Sequence, residues 1–314
     1  MTSQVMSVET IECTTAGGAV VANIRRVGAA LASFVVDGRE VVRPDSDAMR
    51  VNFSSGVTLA PWPNRLAGGH WTLEGRAYQG RLNEPLGNAL HGLVYGRAFD
   101  VVERQADAIH LTCMLGDDAV YPFQLRVDVT YTVSDRGLSC SYEVTNLDAI
   151  RLPVALGAHP FFPIDDSCVL TLRAASLFEN DEHLIPTGRL LPSSVRGVVA
   201  DGVTPLAGFV ADDCFTDLVR GADGLAVTSI TYGDGFSTHV WQDRSFPYAQ
   251  VFTKRDFLFA TGVDAAIAIE PQSAPANALQ TGVDLHWLQP TEQWLATWGI
   301  AVTSPDQSVP LGSH

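Results

Sequence analysis

Apolar and polar residues alternate along most of this chain. In residues 125–133 every second residue is apolar, and residues 138–144 repeat the alternation after a turn at Asp135-Arg136-Gly137. A period of two places successive side chains on opposite faces of a β-strand. Two such runs joined by a turn that contains Gly predict a β-hairpin with one buried face.

The same pattern recurs elsewhere. Residues 109–115 and 248–253 predict further strands, and residues 225–232 and 236–242 flank a Gly-Asp-Gly turn. There are 27 Gly and 17 Pro spread over the whole length, and long amphipathic helical windows are scarce. Many short strands with frequent turns are typical of a sandwich or barrel. We therefore predict an all-β fold in a single domain, residues 1–314, with few short helices and a flexible tail from about residue 304.

Charge and cysteine content narrow the classes of function. The formal net charge of -15 disfavours nucleic acid and anionic membrane surfaces as partners. The five cysteines are far apart and form no C-x-x-C pair, which argues against a disulfide framework and a structural zinc site. No signal peptide or run of about 18 apolar residues is visible, so we expect a soluble, cytoplasmic protein.

Four segments interrupt the strand pattern with polar groups beside Pro or Gly. Such segments are loop or strand-end backbone, where functional groups concentrate. They are Pro-Trp-Pro-Asn-Arg at 61–65, Asn-Ala-Leu-His-Gly at 88–92, Gly-Ala-His-Pro-Phe-Phe at 157–162 and Ile-Glu-Pro-Gln at 269–272.

Three ionisable residues in these segments are candidates for proton transfer. His91 and His159 could each be structural, since a lone histidine often is. Glu270 ends an apolar run, where a carboxylate is costly unless it is paired or used. Taken as a set, imidazole, carboxylate and hydrogen-bonding groups suit proton transfers on a polyhydroxylated substrate.

In order and spacing, these motifs resemble the aldose 1-epimerase (galactose mutarotase) family. Pro-Tyr-Ala-Gln-Val-Phe-Thr at 247–253 adds a fifth match, and the motifs together cover about residues 50 to 290. The resemblance implies the large antiparallel β-sandwich of galactose mutarotases. It also implies a mutarotase that interconverts the α and β anomers of a free aldose without a cofactor or metal.

The resemblance assigns roles residue by residue. Glu270 occupies the position of the catalytic base, His159 that of the catalytic acid, and His91 that of the second active-site histidine. The sugar-binding positions fall on Arg65, Asp212, Gln250 and, with weaker support, Asn64. The pair Asp212-Asp213 leaves that assignment ambiguous by one residue, and the Trp62 segment departs from the tyrosine-containing form of galactose enzymes.

Several alternatives stay open. A hexose-6-phosphate mutarotase would need a basic cluster for the phosphate, with Arg97 as a candidate. A glycoside hydrolase would need a second carboxylate, for which Asp212 is the candidate. A non-catalytic carbohydrate-binding protein would not need both histidines and Glu270, and a metal hydrolase lacks an H-x-H or H-E-x-x-H spacing. We expect a monomer or homodimer, and Trp62 and Phe161 are candidates for stacking on the sugar.

Overall fold

Alternating sequences become antiparallel β-strands throughout the computed structural model of this chain. The structure describes residues 8–15, 18–47, 49, 53–135, 137–199 and 202–305. The prediction of an all-β, antiparallel fold is confirmed. Residues 306–314 lie outside the described residues, and so does most of the tail that we expected to be flexible.

The largest sheet has nine strands and forms one wall of the core. Its order is β10-β11-β12-β13-β27-β23-β22-β17-β20. The strands are β10 (Asp100–Arg104), β11 (Ala108–Leu115), β12 (Leu125–Ser134), β13 (Gly137–Asn146), β17 (Val169–Leu172), β20 (Thr204–Pro205), β22 (Ala226–Thr231), β23 (Ser237–Gln242) and β27 (Gln293–Thr303).

A second sheet of eight strands carries much of the candidate site. Its order is β19-β18-β21-β24-β25-β15-β5, and β16 also pairs with β25. The strands are β5 (Thr58–Leu59), β15 (Gly157–Ala158), β16 (Phe161–Ile164), β18 (Ala174–Asn180), β19 (Pro186–Pro192), β21 (Asp212–Leu218), β24 (Tyr248–Phe259) and β25 (Gly262–Gln272).

Smaller elements complete the architecture. A four-stranded sheet contains β1 (Val8–Thr15), β2 (Gly18–Arg25), β3 (Ala30–Val36) and β4 (Arg39–Val42). Strand pairs are β6 (Arg65–Ala67) with β9 (Asn88–Leu90), β7 (His70–Leu73) with β8 (Arg76–Gln79), and β14 (Leu152–Val154) with β26 (His286–Leu288). Helices among the described residues are short and include an α-helical turn at Ala278–Thr281 and 3₁₀ turns at Val94–Gly96 and Ser193–Arg196.

Both predicted hairpins form in the register that the sequence pattern requires. In the first, Ser134 faces Gly137 across the turn, although Arg136 lies outside the described residues. In the second, β22 pairs with β23 from Ala226↔Gln242 to Thr231↔Ser237. Because a shift of one residue would turn every apolar side chain outward, the buried face fixes this register.

One hydrophobic cluster contains buried residues from all three large sheets. On β12 its members include Leu125, Val127, Val129, Tyr131 and Val133, the apolar set of the first hairpin. The buried hydroxyl group on this strand is satisfied, since Tyr131 Oη donates to Ala29 O at 2.9 Å. Full burial of a large apolar side chain contributes about 1.5–3 kcal/mol to the stability of the fold. The packing of the sheets against one another therefore stabilises the strands that carry the site.

Cysteines belong to this packing rather than to a cross-link. Cys113, Cys140, Cys168 and Cys214 are buried and carry free thiols. Cys113 and Cys140 pack as small hydrophobic residues in the core. In the described part of the chain, no helix is both long enough and apolar enough to cross a membrane.

Candidate active site

A cleft beside the eight-stranded sheet brings together all seven residues singled out from the sequence. Two walls come from β21, β24 and β25, and the rest from the loops around β6, β9 and β16. The described residues that line it are Phe53, Asn64, Arg65, Glu84, Pro85, Leu90, His91, His159, Asp212, Gln250, Phe252 and Glu270.

Two polar side chains reach the cleft from adjacent strands. Gln250 on β24 lies directly opposite Glu270 on β25, so both point to the same face of the sheet. Glu270 is only 2% exposed. Its Oε2 accepts a hydrogen bond of 2.9 Å from Gln272 Nε2, two residues further along the same strand face. The strand thus holds the carboxylate in one orientation.

An imidazole meets this carboxylate from another part of the chain. His159 lies between β15 and β16, both of which pair with β25. Its Nε2 is 3.3 Å from Glu270 Oε1. The ring packs on Phe161, with centroids 4.9 Å apart, which limits its rotation. Two residues far apart along the chain therefore form one buried acid–base pair.

The second histidine is placed by a strained turn. His91 has a φ of +67° and its backbone N–H donates to Asn64 O at 2.9 Å. Its ring meets that of His159 edge to face, with centroids 5.1 Å apart. The next residue, Gly92, runs beside Ala60, and a Cβ there would lie 2.2 Å from Ala60 O. Only glycine allows the approach that brings His91 against His159.

Replacing Gly92 by Ala is therefore expected to destabilise the protein. The φ of +72° alone costs a non-glycine residue about 1–3 kcal/mol, and the clash with Ala60 O adds to that cost. The measurement is the denaturant midpoint. Gly38→Ala is the matched control, because Gly38 has a φ of +80° and a Cβ added there would meet no atom within 4 Å. Equal midpoint shifts for the two variants would contradict the steric explanation.

Arg65 lies between acceptors rather than in a bidentate pair. Its Nη1 donates to Asn64 Oδ1 at 3.3 Å, an oxygen that also accepts from the Arg65 backbone N–H at 2.8 Å. Nη2 is 3.6 Å from Asp212 Oδ2, and Nε is 3.9 Å from Glu84 Oε2. The distances to the two carboxylates exceed hydrogen-bond length, so Nη2 and Nε keep N–H donors for a ligand.

The structure resolves which of two neighbouring aspartates faces the cleft. Asp212 and Asp213 are consecutive on β21, so their side chains point to opposite faces. Asp212 lines the cleft and accepts a hydrogen bond of 2.7 Å from Gln250 Nε2. Asp213 is bound to Arg196 Nε at 2.8 Å. Of the two, Asp212 is the one that lines the cleft, and its contact with the sugar stays a prediction.

Burial shifts the protonation of the central groups towards neutral forms. Desolvation raises the pKa of Glu270 well above its ordinary value. Desolvation also lowers the pKa of His159 to about 4, and the pKa of His91 is lowered by burial and by the nearby His159 and Arg65. A His159 imidazole that is protonated at rest, the form that a catalytic acid needs, is therefore disfavoured at neutral pH.

Sequence reasoning missed several residues of the cleft. Glu84 lines it, and Gln272 supports Glu270, although no role was predicted for either. The aromatic residues that line the cleft are Phe53 and Phe252, whose ring centroids are 6.3 Å apart, and neither stacking candidate is among them. Trp62 and Phe161 are instead buried, and each packs in a hydrophobic cluster of the core. The alternation of β24 predicts that Phe252 shares a face with Gln250.

Two other features bear on the alternatives. Arg97, the phosphate candidate, is not in the cleft and pairs with Asp117 at 2.5 Å. Across the described residues, no group of three or more His, Cys, Asp or Glu side chains is arranged to hold a metal ion.

The chain is similar in sequence to a known family and to several known proteins. A family model described as aldose 1-epimerase matches residues 10–300. The uncharacterized protein YihR of Escherichia coli K12 is 29% identical over 275 residues, 85% of each chain. Human galactose mutarotase is 31% identical over 159 residues, but this match covers only 46% of this chain and 44% of that protein.

Solved structures share the fold over nearly the whole chain. The GalM/aldose epimerase homologue from C. elegans has a TM-score of 0.81 at 19% identity, covering 95% of this chain and 99% of that one. A putative aldose 1-epimerase from Escherichia coli K12 has a TM-score of 0.77 at 20% identity, covering 95% and 100%. The predicted galactose mutarotase-like fold is confirmed.

Proposed function

Since this chain belongs to the aldose 1-epimerase family and is an isomerase, we propose that it interconverts the α and β anomers of a free aldose. The observation that carries the proposal is the contact of 3.3 Å between His159 Nε2 and Glu270 Oε1. One acid–base pair, in a cleft with Arg65 and Gln250, suits a single hemiacetal and its hydroxyl groups.

A neutral sugar fits the charges of the cleft better than a phosphorylated one. Arg65 is the one Lys or Arg side chain among the described residues that line it, and two carboxylates, Asp212 and Glu84, lie within 4 Å of its guanidinium. A phosphate is bound by unneutralised cations that donate several hydrogen bonds. Because two carboxylates already compensate the positive charge of this guanidinium, we propose a free aldose rather than a hexose 6-phosphate as the substrate.

The reaction needs one proton removed and one supplied. Glu270 takes the proton of the C1 hydroxyl, the bond between C1 and the ring oxygen breaks, and its electron pair stays on the ring oxygen. That oxygen takes a proton from His159, which leaves an open-chain aldehyde. After rotation about the C1–C2 bond, the hydroxyl adds to the other face of the aldehyde and both proton transfers reverse.

The pair must therefore carry one proton in total. Burial favours that proton on Glu270, with a neutral His159. The two groups touch, so the proton can pass to His159 Nε2 when a C1 hydroxyl donates to the carboxylate and stabilises its charge. His91, held against His159, restricts the acid to one position.

This proton count predicts a wide pH range of activity. With ordinary values of 4.5 for Glu and 6.5 for His, the one-proton state would span only that interval. The raised pKa of Glu270 delays loss of the last proton and moves the alkaline limb upward. The lowered pKa of His159 delays entry of a second proton and moves the acid limb to about pH 4. We expect kcat/KM, corrected for spontaneous exchange, to stay level across neutral pH. A bell-shaped pH profile of kcat/KM confined between pH 4.5 and 6.5 would contradict this prediction.

The direct test is anomer exchange with a panel of free aldoses. Polarimetry or two-dimensional exchange NMR on galactose, glucose, arabinose and xylose should show acceleration with at least one of them. Saturable binding without acceleration would instead support a carbohydrate-binding protein, and release of sugar from aryl glycosides a hydrolase. The cytoplasmic location and the monomeric or dimeric state stay predictions.

A further inference from the structure

A carboxylate outside the recognised motifs is buried in the cleft. Glu84 lies in the loop between β8 and β9, lines the cleft, and its side chain is only 7% exposed. A buried carboxylate is costly unless its oxygens accept hydrogen bonds. The bonds that this side chain makes therefore show which acceptors remain for a ligand.

The two carboxylate oxygens of Glu84 accept different numbers of hydrogen bonds. Oε1 accepts from the backbone N–H of Asn88 at 2.9 Å and from Asn88 Nδ2 at 2.7 Å, which uses both lone pairs. Oε2 accepts from the backbone N–H of Leu86 at 3.2 Å. Among the described residues this leaves Oε2 with one acceptor site. Both oxygens of Glu84 thus accept hydrogen bonds from its loop, and Oε2 keeps one acceptor site for a ligand.

Arg65 lies next to that remaining acceptor. Its Nε is 3.9 Å from Glu84 Oε2, and its Nη2 is 3.6 Å from Asp212 Oδ2. A sugar hydroxyl can donate to a carboxylate while its oxygen accepts from a neighbouring N–H. Two carboxylates beside one guanidinium present such positions to adjacent hydroxyls of one sugar.

We propose that Glu84 is a specificity-determining residue: it accepts a hydrogen bond from one sugar hydroxyl other than that on C1, at a position beside the Arg65 guanidinium. The inference rests on the proposed mutarotase function and deepens it. The C1 hydroxyl is left to Glu270, which lines the same cleft as Glu84 and Arg65.

The test combines Glu84→Gln with a panel of deoxy aldoses. In the variant the amide oxygen can replace Oε1 towards Asn88, and the NH₂ group then replaces the acceptor Oε2 by a donor. The wild-type protein should lose at least about tenfold in kcat/KM on the deoxy aldose that lacks the recognised hydroxyl. Glu84→Gln should lose about tenfold on the parent sugar, mainly through KM, and its penalty for the same deoxygenation should fall to about twofold or less.

Two controls separate recognition from loop structure. Asn88→Ala removes a hydrogen bond that closes the loop but leaves Oε2, so it should keep the deoxy penalty. Glu182→Gln changes a carboxylate that is 88% exposed and should behave as wild type. If Glu84→Gln unfolds at a lower temperature than the wild type, Glu84→Asp replaces it in the same measurement of the deoxy penalty. It keeps the charge and withdraws the acceptor by one methylene.

The outcomes are distinguishable. If the wild type accelerates exchange and Glu84→Gln keeps every deoxy penalty of the wild type, the role of Glu84 is overturned while the mutarotase function stands. A fall in kcat with unchanged KM also overturns it. If the wild type accelerates exchange of no aldose, the proposed function fails and the inference fails with it.

Discussion

Glu270→Gln is expected to lower kcat/KM for anomer exchange by about a hundred- to ten-thousand-fold, the usual contribution of one positioned proton-transfer group. The amide cannot take the proton of the C1 hydroxyl. It has nearly the same shape, and Gln272 Nε2 can still donate to its oxygen. Because burial raises the pKa of Glu270 and disfavours the charged form, a neutral amide should not lower the thermal midpoint. Polarimetry and thermal unfolding on the same preparation measure both effects.

Glu143→Gln is the control for this substitution. Glu143 also lies on a β-strand, but in the nine-stranded sheet, where it accepts a hydrogen bond from Gln293 at 3.1 Å. It should retain wild-type activity. If Glu270→Gln kept activity within about threefold of wild type, the proton transfer would have to lie elsewhere, since loss of a true general base costs far more.

The strands could be predicted from the sequence because burial acts on each of them locally. The hairpin of β12 and β13 places apolar residues such as Val129 inward and polar ones such as Thr130 outward, which leaves one register. The order of strands in the sheets is not local. That β25 pairs with both β15 and β16, and so brings Glu270 to His159, depends on contacts that no alternation pattern encodes.

Site residues could be predicted where a motif places a polar group beside Pro or Gly. His91 and Gly92 show the physical reason: the turn needs a positive φ at both positions, and Gly92 must pass close to Ala60. Glu84 belongs to none of the motifs recognised in the sequence. Its loop is polar and exposed in part, and only the fold reveals that this one side chain turns inward.

Protonation was the least predictable property. The residue types His and Glu suggest a charged acid and a charged base, but their pKa values depend on how much water each can reach. Full burial of His159 and Glu270 moves both towards neutral forms. The sequence therefore predicts two groups that the fold brings together, and the structure changes the protonation state expected for them at neutral pH.

His159→Asn is expected to have an effect as large as that of Glu270→Gln. The variant lacks an acid for the ring oxygen, so kcat/KM should fall by about a hundred- to ten-thousand-fold, and the loss should appear mainly in kcat. The acid limb near pH 4 should vanish with the imidazole that produces it. Polarimetric rates over about pH 3.5 to 9, a range that brackets the expected limb, measure both consequences.

His286→Asn tests whether removal of any partly buried imidazole would do the same. His286 stacks on Trp294, with centroids 4.3 Å apart, and does not line the cleft. Its removal should change stability more than rate. The double variant Glu270→Gln with His159→Asn should be only slightly slower than either single variant, because proton removal and proton delivery serve one bond cleavage. Fully multiplicative losses would mean that the two groups act independently, and the contact between His159 Nε2 and Glu270 Oε1 would then have no part in the reaction.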